Sequence, residues 1–188
     1  MNLSHDLSAL EEAVKRCRDL LPKVEQAGRQ LAERVRKGGK VLTCGNGGSA
    51  ADAMHIAEEM TGRYRGNRQA LPALCLAADG SALTCIANDW SYEDVFSRQV
   101  EAFGKSEDVL IVFSTSGNSP NILKAIHVAK SRKMLILGAL GKGGGAAAPL
   151  CDHAIVVPSD DTSRIQEIHG WLIHAWLECV EALAVGKS

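Results

Sequence analysis

From residue 40 onward the sequence alternates short, β-prone apolar runs with longer stretches of helical period, and that alternation leaves few architectures open. The runs lie at 41–44, 73–77, 109–114, 134–140 and 154–157. They are largely apolar throughout rather than at every second residue, as strands are when both sheet faces are covered. Five such strands with helices between them predict a doubly wound α/β fold built on a five-stranded parallel sheet flanked by helices. Ligands of such sheets bind at the carboxyl ends of the strands, so the segments that follow the strands carry the functional information.

Ahead of the sheet, Leu3, Leu7, Leu10, Val14, Cys17, Leu21, Val24, Gly28, Leu31 and Val35 follow a 4,3 spacing, which is a heptad seam. It predicts a long helix over residues 1–37 that packs against partner subunits, with a kink or break at Pro22. Residues 38–188 form the α/β core, and 1–188 reads as one domain. A last helix over 162–185 repeats the spacing and is a candidate partner for the first helix of another subunit.

Two strand-end segments stand out. After the first strand comes GNGGSA at 45–50, a flexible turn opening onto a helix whose free N–H groups can hold an anion or sugar hydroxyls. Alone it also fits a dinucleotide fingerprint, with Asp79 as the ribose acid. After the third strand comes STSGNSP at 114–120, where four hydroxyls precede a helix N-terminus. One capping Ser would satisfy a helix start, so four favour a neutral cradle for a phosphate monoester. Charge supports a local cradle: 21 Lys plus Arg against 22 Asp plus Glu leave no field for bulk nucleic acid or an anionic membrane surface. Aromatic residues make up only 4%, which argues against a pocket of stacked rings. No apolar run approaches the roughly 20 residues of a membrane span. The polar first ten residues lack a signal-peptide core, so a cytoplasmic protein with no membrane partner is expected. Six cysteines without CxxC spacing read as free, mostly buried thiols.

In combination, CGNGGSAADAMHIAEEMTGRY at 44–64, IAND at 86–89, VFSRQVEA at 95–102, STSGNS at 114–119 and PSDDTSRIQEIH at 158–169 resemble the sugar isomerase (SIS) domain family over nearly the whole chain. They are most similar to the branch that interconverts D-sedoheptulose 7-phosphate and D-glycero-D-manno-heptose 7-phosphate, the first step of ADP/GDP-heptose synthesis for bacterial surface polysaccharide. The resemblance implies a homotetramer with intersubunit active sites and one zinc ion per subunit, bound by His55, Glu59, Gln166 and His174. It also implies sugar and phosphate contacts at Asn46, Gly47, Gly48, Asn88, Asp89, Ser114, Thr115, Ser116 and Ser119, with Gln166 and Glu59 also facing the substrate. The sequence departs from the family at 141–149, where Ala and Gly replace a more polar loop and leave its conformation open.

The residues themselves allow this chemistry. His55 and Glu59 are spaced i,i+4 and share a helix face. Gln166 and His174, eight apart, lie about 80° from each other around the last helix and can converge on one site. Four N/O donors from two helices suit zinc. A surface ion pair is the plainer reading of His55 with Glu59, turn chemistry that of Asn88 with Asp89, and packing that of His169. Aldose–ketose isomerisation needs a base and a group serving the sugar oxygens. Glu59 and His174 are the candidates, with Glu59 both ligand and base. The alternative is a non-catalytic scaffold like the family's replication-initiator-binding homologue, which lacks the acid and imidazole at those two positions. A hexose phosphate as substrate also stays open.

Overall fold

The computed structural model describes residues 3–185, so the extreme ends of the 1–188 span fall outside the described residues. The N-terminal seam is two helices: α1 (Leu3–Arg16) and α2 (Leu21–Arg36), joined by a 3-10 turn at Cys17–Leu20. Pro22 lies in the first turn of α2. There its missing N–H has no intrahelical acceptor to lose, so the chain restarts a helix at the proline instead of bending one around it.

The seam divides at the same point. Val24, Ala27, Gly28, Leu31 and Val35 of α2 are buried within the chain. They pack on the final helix, α7 (Thr162–Val180), so closely that a Cβ on Gly28 would lie 2.7 Å from Cys179 Sγ. In α1, by contrast, Leu3, Leu7 and Val14 are exposed by 70%, 59% and 51%. Half of the stripe expected to meet partner subunits is therefore core of the chain itself.

The sheet holds β1 (Val41–Gly45), β2 (Ala73–Cys75), β3 (Val109–Ser114), β4 (Leu135–Leu140) and β5 (His153–Val156), all parallel, in the order β2-β1-β3-β4-β5. β2 is shorter than its apolar run because the chain turns away at Ala78, although Leu76 N–H still reaches Thr43 O at 2.8 Å. Between the strands lie α3 (Gly48–Thr61), α4 (Gly80–Asp89), α5 (Ser97–Phe103) and α6 (Pro120–Ser131). Successive strand residues point to opposite faces. Val41, Val109, Ile111, Phe113, Leu137 and Ile155 pack under α2, α3 and α7. Leu42, Cys44, Leu110, Val112 and Ile136 pack under α4, α5 and α6. Both faces are covered, which is why the strands read as unbroken apolar runs. From β1 the chain moves one way to β2 and then crosses back to β3. The loops leaving β1 and β3 consequently diverge and open a crevice, the switch point where this class of sheet binds ligands.

Candidate active site at the switch point

The crevice is built from backbone outward. β1 ends at Gly45, where a Cβ would lie 2.2 Å from Ser49 O, and Gly47 sits at φ 57° before α3 begins. Only glycine allows the turn to close this tightly. Across the crevice β3 ends at Ser114, whose Oγ accepts the Gly117 N–H at 3.0 Å, while Ser116 Oγ accepts the Asn118 N–H at 3.2 Å. Ser119 stands at the N-cap of α6 and its hydroxyl makes no capping bond. Asn46, Ser49, Ser114, Thr115, Ser116 and Ser119 line a cavity of about 60 Å³ between the two loops. That is about the liquid volume of two waters, edged by hydroxyls and a helix N-terminus.

The Ala/Gly-rich segment 141–149 supports the cradle from behind. Ala147 N–H donates to Gly117 O at 2.9 Å and Ala146 N–H to Asn118 Oδ1 at 2.9 Å. A Cβ on Gly117 would lie 2.0 Å from Gly144 O, and one on Gly145 2.5 Å from Ser116 O. Two backbones touch here, so the glycines that depart from the expected polar loop are what let the loops pack.

Two to three turns into α3, His55 and Glu59 share a face, with His55 Nε2 3.7 Å from Glu59 Oε1. The His174 ring of α7 stands edge-on to His55, ring centroids 5.2 Å apart. One donor atom from each of His55, Glu59 and His174 falls within 4.8 Å of the others. Two imidazoles and a carboxylate at this separation are a donor set that suits a divalent metal with open coordination positions, zinc included. Gln166 lies against the first residue of α3: a Cβ on Gly48 would come 2.3 Å from its Nε2. Glycine at 48 thus makes room for the amide that α7 places beside the turn.

Other residues fall elsewhere. Asn88 and Asp89 are exposed at the C-terminal end of α4, where Asn88 Nδ2 donates to Asp89 Oδ1 at 2.8 Å and Cys85 Sγ lies 3.6 Å from Asp89 Oδ2. His169 is fully buried, with Nε2 3.4 Å from Leu140 O and Nδ1 3.8 Å from Asp52 Oδ2, as a packed histidine should be. Asp79 caps α4, its Oδ1 accepting from Ser81 N–H at 2.9 Å and Ala82 N–H at 3.1 Å, so the residue that the dinucleotide reading assigns to a ribose serves here as a helix cap. All six cysteines are free; Cys17, Cys44 and Cys75 are buried, Cys151 and Cys179 half-buried and Cys85 exposed.

The motifs did not single out the strap beyond α3, residues 62–68. The Tyr64 ring stacks on His174 with centroids 5.7 Å apart, and its hydroxyl donates to Glu178 Oε1 at 3.1 Å, one turn beyond His174. Burial and that bond to Glu178 raise the Tyr64 phenol above its ordinary range. Arg68 donates to the carbonyls of Glu59 and Met60 at 2.8 and 2.9 Å and pairs with Glu181 at 2.6 Å. Only its first residues, up to Tyr64, fall in a quoted stretch, and its partners Glu178 on α7 and Glu181 just after it lie 114 and 113 residues away and leave no local pattern.

A family model described as SIS domain matches residues 7–141. The phosphoheptose isomerase of Campylobacter jejuni subsp. jejuni serotype O:6 is 56% identical over 158 residues, covering 84% of this chain and 85% of that protein. The phosphoheptose isomerase of Helicobacter pylori (strain P12) is 51% identical over 180 residues, covering 95% and 94%. Among solved structures, phosphoheptose isomerase GmhA from Neisseria gonorrhoeae superposes with a TM-score of 0.91 at 39% identity, covering 96% of this chain and 97% of that one. A phosphoheptose isomerase from Francisella tularensis gives 0.88 at 31% identity, covering 96% and 98%. With its five parallel strands, strand-end loops and sequence matched across nearly its full length, the chain belongs to the SIS domain family and, within it, to the phosphoheptose isomerases.

Proposed function

We propose that the chain interconverts D-sedoheptulose 7-phosphate and D-glycero-D-manno-heptose 7-phosphate through an enediol, the first step toward ADP/GDP-heptose for bacterial surface polysaccharide. The observation that carries this is the gathering of His55, Glu59 and His174 within 4.8 Å on α3 and α7, α3 being the helix whose N-terminal turn also lines the hydroxyl-edged cavity. Ser114, Thr115, Ser116 and Ser119 hold the phosphate with hydroxyl and backbone donors. Fixed neutral dipoles do this without the Lys or Arg that the cavity lacks. Asn46, Gly47, Gly48 and Gln166 line the path from phosphate to reacting carbons.

The Glu59 carboxylate takes the proton from the carbon beside the carbonyl, the C–H electrons form the enediol double bond, and the same carboxylate returns the proton to the neighbouring carbon. One Glu59 oxygen faces His55, which leaves the other free for the carbon. His174 gives a proton to the carbonyl oxygen and removes one from the adjacent hydroxyl, so the two transfers balance. Zinc, one ion per subunit on His55, Glu59, Gln166 and His174, supplies Lewis acidity toward the sugar oxygens when bound. We take the protein to be a cytoplasmic homotetramer, with residues 1–37 serving assembly, residues 38–188 forming the phosphosugar core and no nucleic-acid or membrane partner. Exposed Asn88 and Asp89 suit delivery to a neighbouring subunit's site. Among the described residues no helix is long and apolar enough to cross a membrane.

Turnover across five-, six- and seven-carbon ketose phosphates, with and without chelator, tests substrate and metal together. Conversion of the seven-carbon sugar, lost with chelator and restored by zinc, is expected. Glu59→Gln should lower kcat by about 10²–10⁴ while phosphate-dependent binding survives. Undiminished turnover of that variant, at unchanged zinc content, would reject Glu59 as the base.

A further inference from the structure

One side chain at the cavity is oriented without any help from a ligand. The backbone N–H of Ile122 lies 2.9 Å from the Asn121 side chain. A backbone N–H can only donate, so the atom facing it is the amide oxygen, Oδ1. The same oxygen accepts from Asn46 Nδ2 at 2.9 Å, and Asn121 Nδ2 donates back to Asn46 Oδ1 at 2.8 Å. The Tyr92 hydroxyl then meets Asn46 Oδ1 at 2.9 Å and must be the donor there, because that oxygen carries no proton. An amide oxygen has two lone pairs, and on Asn46 Asn121 and Tyr92 take both. Asn46 has one N–H left to offer the cavity it lines.

Both neighbours are themselves held. Asn121 is 2% exposed in the first turn of α6. Tyr92 lies in a 3-10 turn, Tyr92–Asp94, pinned to α6 by Lys124 Nζ donating to Asp94 Oδ1 at 3.0 Å, while Ser91 Oγ donates to Asp94 Oδ2 at 2.6 Å. Those two bonds hold the Asp94 carboxyl below its ordinary range, so the pin is charged at neutral pH. The Tyr92 ring is 60% exposed, so its contribution is the hydroxyl rather than packing.

We propose that Asn121 and Tyr92 are positioning residues that lock Asn46 as a donor-only contact, committing the cavity to an acceptor oxygen of the phosphosugar at that point. The proposal rests on the phosphosugar reading of the cavity. Without the lock the amide is free to turn, and half of its orientations present an oxygen to an oxygen-rich ligand.

Tyr92→Phe removes one bond and leaves the exposed ring in place. Sedoheptulose 7-phosphate titrated calorimetrically into metal-free protein should bind about twofold more weakly, because the Tyr92–Asn46 bond is already made without ligand and its loss acts only through the share of amide orientations that still donate. KM of the zinc-loaded enzyme should rise equally while kcat stays unchanged, since the contact is the same in ground and transition states. In an Asn46→Ala background Tyr92→Phe, and likewise Asn121→Leu, should change nothing further, because each acts through Asn46. Wild-type affinity in Tyr92→Phe, or an equal loss in both backgrounds, would overturn the lock. A readout independent of ligand is the side-chain amide signal of Asn46 in a nitrogen-15 spectrum of ligand-free protein, identified by its disappearance in Asn46→Ala. It should shift in Tyr92→Phe, and an unmoved signal also overturns the proposal. A wild-type protein that neither binds nor converts the sugar phosphate rejects the functional reading instead, and the amide signal then decides the lock alone.

Discussion

Glycine 48 shows how one hydrogen in place of a methyl group decides the site. It opens α3, where alanine would favour the helix by about 0.5–1 kcal/mol. Yet a Cβ there would come 2.3 Å from Gln166 Nε2, so the amide would have to swing away. Gly48→Ala should therefore leave thermal stability level or slightly raised while zinc affinity, read by competition with a chromophoric chelator, falls about 10-fold or more. Unchanged affinity and turnover would show that Gln166 is not needed where it stands. Cysteines make the opposite point. Burial pushes the Cys151 thiol up to about 12 and raises that of Cys44 as well, so neither supplies a thiolate near neutral pH.

At the scale of elements, the strap from Gly62 to Arg68 joins the end of α3 to α7. Arg68 donates to the Glu59 carbonyl, left without an intrahelical donor at the helix end, and to that of Met60, which also accepts the Leu71 N–H, and it pairs with Glu181, with only 3% and 16% of the two side chains exposed. Removing one member of such a pair leaves the other poorly solvated. Arg68→Ala should lower stability by roughly 3–5 kcal/mol in denaturant unfolding, with Arg68→Lys recovering part of it. A loss under about 1 kcal/mol would place Arg68 with ordinary surface pairs. Because the strap also carries Tyr64 onto His174, the same loop that closes the helix end plates the imidazole.

For the whole molecule, the open question is what covers α1. Leu7 is exposed on it, and exposed Val14 lines an apolar groove of about 370 Å³ between α1 and α7 with Leu10, Cys17, Leu21, Ile168 and Trp171. Leu10 packs on the core, so a clean test charges the outward positions only. The Leu7→Glu, Val14→Glu double variant should stay folded, sediment as a smaller species and lose activity. An active protein of unchanged mass would count against intersubunit sites. Where sequence and structure part can be traced to distance along the chain. The strands were legible because burial on two faces leaves an unbroken apolar run, and His55 with Glu59 because one helical turn separates them. The STSGNS loop could be read as an anion cradle because its hydroxyls, glycine and helix start are consecutive. The partners of Asn46 lie 75 and 46 residues away, and those of the strap more than a hundred. Their residue types, an Asn in a first helical turn, an exposed Tyr and an Arg after a helix, are ordinary wherever they occur. Sequence by itself therefore determined the fold class and the two loops, set by local period and local turn chemistry, whereas the set that joins α3 to α7 was implied by resemblance alone. Tertiary structure alone decided which half of the N-terminal seam is buried and which atoms of Asn46 are spent. The first depends on α7 returning across the sheet to pack on α2, the second on the crossing from β2 back to β3, which brings the loop after β1 and the start of α6 to one crevice.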